Sequence, residues 1–142
     1  MCNNNNERDE RCNCFRDTLR LIIKLQRKGD KIDDIPQTCD RPFLGNTTPC
    51  IVPNTRPVTF YTCANDTLIT MPYTLNGESC TSSVFRVEQV EGCCATCRVL
   101  APSTEVINGC ETTYQATDSF FTINLNCCGI LKCLPDTYIA CI

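Results

Sequence analysis

Residues 83–100 read SVFRVEQVEGCCATCRVL, and the reading of this stretch decides the fold class. Phe85 and Val87 alternate with Arg86 and Glu88, the period-two pattern of a strand with one buried face. Glu91-Gly92 is read as the turn. In the returning strand Cys93, Ala95, Cys97 and Val99 share one face, and Cys94, Thr96, Arg98 and Leu100 share the other. Sulfur therefore points to both sides of the sheet, and crosslinking in two directions is geometrically open.

Outward from this hairpin the chain continues in short strands. Val58–Thr62 and Thr67–Met71 alternate and are joined by the turn Ala64-Asn65-Asp66. Asn76-Gly77 is a turn pair, and Glu105-Val106-Ile107 ends at a second one, Asn108-Gly109. A less regular threonine-rich piece runs to Asp118. Phe121, Ile123 and Leu125 then alternate with polar residues, the cleanest strand signal in the chain. Ile130–Leu134 is a further strand, closed by Pro135. Six or seven short strands at this spacing predict a mainly β, single-domain sandwich or barrel. Phe85, Val87, Phe121, Ile123 and Leu125 are its expected core.

Residues 14–28 form the predicted N-terminal helix. Phe15, Leu19, Ile22 and Ile23 recur at helical spacing, and Gly29 stands as the stop. Arg16, Arg20, Lys24 and Lys28 make a basic row at i, i+4 spacing, read as a solvated face in preference to a docking surface. Residues 1–13 are a polar arm too poor in apolar surface to order itself. The predicted division is thus a flexible arm over 1–13 and one domain over 14–142. Residues 29–57 are read as a long loop, because Pro36, Pro42, Pro49, Pro53 and Pro57 interrupt every run. Phe43 and Leu44 are its expected anchor points. Asp30, Asp33 and Asp34 lack the other ligands of a calcium loop and are read as solvated loop acids.

Fifteen cysteines among 142 residues, about 11%, exceed the level that marks a disulfide scaffold. A chain of this length buries enough surface to fold without seven bridges, so the surplus points toward other molecules. The odd count leaves at least one cysteine for an intermolecular bond or a free thiol. Zinc binding is disfavoured, since Cys94-x-x-Cys97 is the single C-x-x-C, it lies mid-strand, and histidine is absent. A redox catalyst would place that motif at a helix start in a βαβ unit, which this pattern lacks. Histidine-dependent nucleophilic catalysis lacks its base. Glu88 and Glu91 flank a turn and are read as solvated, and no glycine-rich phosphate loop occurs. Asn46-Thr47-Thr48 and Asn65-Asp66-Thr67 fit the glycosylation pattern, but no apolar secretory signal precedes them. Net charge −3 with a pI near 4.9 argues against a nucleic-acid partner. No apolar run is long enough to span a membrane.

Covalent crosslinking is the chemistry that uses all fifteen positions. Cys2, Cys12 and Cys14, in or beside the arm, and Cys141 near the C-terminus are the candidates for bridges between subunits. A flexible arm can bring a thiol within bonding range of a neighbour, although a folded-back arm could equally pair within its own chain. Cys93, Cys94, Cys97, Cys110, Cys127, Cys128 and Cys133, held by strands, are candidates for bridges inside the domain or to whatever packs against it. Some of them are expected to stay as buried thiols.

Several motifs stand in order along the chain: Arg41-Pro42-Phe43-Leu44-Gly45, Asn54-Thr55-Arg56-Pro57, and Ser83-Val84-Phe85-Arg86-Val87-Glu88. Cys93-Cys94-Ala95 with Arg98-Val99-Leu100, and Lys132-Cys133-Leu134-Pro135, complete the set. Through them the chain resembles the cysteine-rich spore coat protein Y and Z family of spore-forming bacteria, which includes exosporium basal-layer proteins. The likeness runs from about Cys12 to Ile139 and is most specific around FRVE, CCA and RVL. It implies a non-enzymatic shell protein without cofactor, self-assembling into a two-dimensional hexagonal lattice locked by disulfides. The implied partners are further copies of itself and other coat or exosporium proteins. It also implies synthesis in the mother-cell cytosol and a place at the spore surface, consistent with the missing signal. Cys127-Cys128-Gly129 departs from the expected Cys-Phe-Cys-like segment, and Cys39, Cys50, Cys63 and Cys141 are read as this chain's own. The competing reading is a monomeric, disulfide-rich binding module.

Overall fold

The computed structural model describes the backbone of residues 5–34, 53–104, 106–107 and 110–140. Phe43, Leu44, Cys2, Cys39, Cys50 and Cys141 lie outside the described residues. Helix α1 spans Asn5–Asp34, longer at both ends than the 14–28 expected. Gly29 does not stop it. A glycine inside a helix costs only about 1 kcal/mol, whereas Pro36 excludes the helical conformation from the residue before it. The helix therefore takes in Cys12 and Cys14, and the predicted arm is correspondingly shorter. Asp30, Asp33 and Asp34 belong to its last turns, not to a loop.

Among the described residues nine strands follow: β1 (Val58–Thr62), β2 (Met71–Leu75), β3 (Glu78–Ser82), β4 (Phe85–Glu91), β5 (Cys94–Pro102), β6 (Val106–Ile107), β7 (Cys110–Glu111), β8 (Tyr114–Asn124) and β9 (Cys128–Cys133). Thr67–Met71 is not a strand. Leu68 bridges Tyr61, flanked by backbone bonds from Thr62 to Thr67 and from Ile69 to Phe60, and the next strand begins only at Met71, where β2 pairs with β3 about the turn Asn76-Gly77. The left-handed backbone there, φ 53° at Asn76 and 84° at Gly77, is what an Asn-Gly hairpin turn requires. The hairpin of residues 83–100 forms as read, with its turn one residue later than expected, at Gly92-Cys93.

Five strands make an antiparallel sheet in the order β8-β5-β4-β1-β9. Its two edge strands are joined by a single 3-10 turn, Leu125–Cys127. In a flat sheet those edges would lie about 19 Å apart, four strand spacings. The four steps from Asn124 to Cys128 reach at most about 14 Å. The sheet must curl until β8 and β9 meet at this corner, which is the barrel-like form of the predicted β domain.

Phe60, Phe85, Val87, Ala95, Cys97, Val99, Ile123 and Leu125 fill the inside, with Leu19, Ile22 and Ile23 of α1 packed on them. Phe85 stacks on Phe60 and meets Phe121 edge-on at 4.7 Å. Phe121 itself is only partly buried, a correction to the expected core. Its strand β8 lies at the sheet edge, where a face has fewer neighbours to cover it. Leu125 is fully buried although it has left the strand for the 3-10 turn.

Gln26 ties helix to sheet. Its amide donates to the Val87 carbonyl at 2.9 Å and accepts from the Arg56 N–H at 3.1 Å. Asn54 holds the C-terminal segment by a reciprocal pair of bonds to the Ile139 backbone, both 3.0 Å. Arg56 grips Asp136 through two bonds. This hydrogen-bonded pair holds the Asp136 carboxyl below its usual range and raises Arg56.

Candidate functional site

The closing corner of the sheet is where cysteine concentrates. Three connections converge there: the β4–β5 turn with Cys93, the end of β1 with Cys63, and the 3-10 turn with Cys127 leading into Cys128. The Leu125 N–H donates to the Cys93 carbonyl at 2.8 Å, and the Cys63 N–H to the Cys127 carbonyl at 3.0 Å. Cys94 is paired in register with Asn124, and Thr62 with Cys128. Helix α1 reaches the corner as well, where Cys12 and Cys93 form a disulfide with Cα atoms 5.8 Å apart. Cys12 therefore bridges within its own chain, the second of the two outcomes that the sequence left equally open. Its position on an ordered helix, buried at 0% exposure, holds it at the hairpin tip.

The remaining thiols divide by burial. Cys97 and Cys128 are buried, whereas Cys14, Cys63, Cys80, Cys94, Cys127 and Cys133 are exposed. Burial pushes the Cys97 thiol up to about 12 and Cys128 to about 11, because the thiolate would lose its hydration. Neighbouring Cys128 and Glu88 add to the shift at Cys97, and Cys127 and Cys63 to that at Cys128. Neither buried thiol is a nucleophile near neutral pH. Cys94 and Cys97 face opposite sides of β5, so the C-x-x-C does not converge on one point. Among the described residues no group of three or more cysteine, aspartate or glutamate side chains is arranged to hold a metal ion. Cys110 lies in β7, and its side chain is not described.

The exposed thiols point in several directions. Cys14 lies on the outer side of α1, with Leu21 and Leu25 exposed along the same face. Cys80 stands opposite Tyr73 across the β2–β3 ribbon. Cys133 ends the edge strand β9, opposite Val58, and close enough to Arg56 to act on its charge. Of the basic row, Arg20, Lys24 and Lys28 are exposed, while Arg16 is partly buried and bonded to Asn13.

The other face of the hairpin carries a charged network that the sequence reading took for solvated residues. Arg86, 5% exposed, donates to Glu88 at 2.7 Å, to Thr55 Oγ1 at 3.0 Å and to the Asn54 carbonyl at 3.3 Å. Glu88 also meets Arg98 at 3.4 Å, and the Arg98 guanidinium lies 4.5 Å over the Phe120 ring. A bulge in the β4–β5 pairing between Val87 and Gln89 turns Glu88 toward both arginines. Alternation alone places Arg86 and Glu88 on one face, but not the Asn54-Thr55 segment that covers Arg86 there.

These residues are those of Asn54-Thr55-Arg56-Pro57, FRVE and RVL, each with a structural task in or beside the sheet. The family model for spore coat protein Z matches residues 2–136. The chain belongs to that family. It is thus a structural protein of the spore coat, and its place is the spore surface. No curated protein and no solved structure matches it. Among the described residues no helix is long and apolar enough to cross a membrane.

Proposed function

We propose that this coat protein is a non-enzymatic building unit that assembles with copies of itself into a two-dimensional lattice, then locks it by disulfides between subunits. The observation that carries this reading is the placement of Cys14, Cys80, Cys94 and Cys133 at the surface on four different elements. The domain already has a continuous apolar core, so these thiols are not needed to hold it together. Bonds in several directions are what a sheet, as opposed to a dimer, requires. Docked subunits hold facing thiols at high effective concentration, so crosslinking follows assembly and removes its dependence on dilution. Strand edges at β8 and β9 offer a second, non-covalent contact by strand addition. Other proteins of the coat or exosporium are the further partners.

A non-reducing gel of purified, air-oxidised protein tests this. Wild type is expected to give a ladder with material held in the well, collapsing to one band on reduction. Replacing Cys14, Cys80, Cys94 and Cys133 together by serine should shift the ladder toward low-mass species, with any remainder carried by Cys2 and Cys141. A single sharp monomer band from oxidised wild type would refute the reading.

A further inference from the structure

Cys63 and Cys127 fall outside the crosslinking set just described, for a geometric reason. Thr62 and Cys128 are the last residues paired between β1 and β9, and Cys63 and Cys127 adjoin them in the flanking turns. There the Cys63 N–H donates to the Cys127 carbonyl at 3.0 Å. With standard bond lengths, that bond keeps the two Cα atoms within roughly 7 Å of each other. Disulfides span Cα separations of about 4.4–6.8 Å, so this limit brings the two residues into bridging range. Both thiols are exposed, so a reagent can reach them. Gly129 secures the approach: a Cβ there would lie 3.1 Å from Cys63 Cα and 3.2 Å from the Thr62 carbonyl oxygen, so a side chain would push β9 away from Cys63.

We propose that Cys63 and Cys127 form a second disulfide within the chain, clasping the end of β1 to the turn that enters β9. The bond forms by exchange with a low-molecular-weight disulfide, RSSR. One cysteine thiolate attacks RSSR, giving a protein–SR mixed disulfide and releasing RS⁻. The second thiolate then displaces the remaining RS⁻. The protein loses two protons and two electrons, and the reagent becomes two thiols. The clasp sits where the sheet curls shut, so it holds the β1–β9 end of the corner, whereas Cys12–Cys93 holds the β4–β5 turn. It goes beyond the lattice reading, because it withdraws two exposed thiols from intersubunit use and leaves Cys14, Cys80, Cys94 and Cys133 for it.

The test uses an equal mixture of isotopically light and heavy full-length protein carrying Cys128→Ser, which removes the neighbouring thiol as a source of ambiguity. The mixture is oxidised with oxidised glutathione, blocked with iodoacetamide, digested and mapped by mass spectrometry. The expected result is a Cys63–Cys127 peptide pair that is wholly light or wholly heavy. Cys63→Ser in wild type should expose Cys127 to one additional alkylation. Mixed-isotope pairs, a bridge from either residue to another cysteine, or full alkylation of both would overturn the proposal. A protein that gives the expected pair but no ladder on the gel would contradict the lattice reading and leave the clasp standing.

Discussion

Cys12 of the helix and Cys93 of the β4–β5 turn, 81 residues apart in sequence, are covalently joined at the corner where the sheet closes. The bridge fixes α1 against the hairpin tip. A loop of this length corresponds to roughly 4.5 kcal/mol of stabilisation in the chain-entropy account. Cys12→Ser should lower the denaturant midpoint accordingly and add one alkylatable thiol, at Cys93. An unchanged midpoint under oxidising conditions would show that the bond is not formed or not structural.

The two aromatic rings of the core edge should separate in energy. Phe85 is fully buried between Phe60 and Phe121, so Phe85→Ala is expected to cost about 3–5 kcal/mol. Phe121 is half-covered and should cost distinctly less. A double-mutant cycle between them should leave a coupling of about 0.5–1.5 kcal/mol from the edge-on contact. Equal losses at the two positions would contradict the burial difference.

Much of this domain was legible in its alternation. β1, the hairpin of residues 83–100 and the inward set Phe85, Val87, Ile123 and Leu125 follow directly from period-two patterning. Ala95, Cys97 and Val99 were placed on one face, and all three are buried. The helix ends were not legible, because a solvent-facing helix tolerates Gly29 and charged residues that also suit a loop. Nor was β3, Glu78–Ser82, whose mostly exposed face carries no apolar pattern. The partner of Cys12 was out of reach from spacing, since bridging depends on which end of the sheet the helix meets. The burial of the Arg86–Glu88–Arg98 network was hidden, because the segment that covers Arg86, Asn54-Thr55, lies some thirty residues away in sequence.

Arg86 is predicted to be among the least replaceable surface-derived residues. Its guanidinium is buried and satisfied by Glu88, Thr55 and Asn54. Glu88→Ala removes its charged partner and should cost a few kcal/mol, whereas Asp136→Ala, which breaks the half-exposed Arg56 pair, should cost only about 0.2–1 kcal/mol. Urea titrations of the two variants check the order, and a reversed order would contradict it.

The buried thiols predict an alkaline limit. The folded state holds Cys97 up at about 12, above the ordinary thiol value of 9.0, so it stays protonated where an unfolded chain ionises. A group whose folded pKa is raised contributes stability below the unfolded value and loses it as pH climbs toward the folded one. Stability should therefore fall between about pH 9 and 12, and fall less in Cys97→Ala. In native protein at pH 8, Cys97 should resist a thiol reagent that modifies Cys14 and Cys94 rapidly. Reaction of Cys97 at the same rate would refute its burial.

The central claim is that surface thiols lock an assembled sheet, and particle mass under oxidation tests it most directly. Purified protein, oxidised and diluted well below assembly conditions, is measured by light scattering alongside negative-stain electron microscopy. The account predicts ordered arrays of megadalton mass that persist on dilution and dissolve after reduction in detergent. Monodisperse particles at the 15.9 kDa chain mass, before and after oxidation, would contradict it.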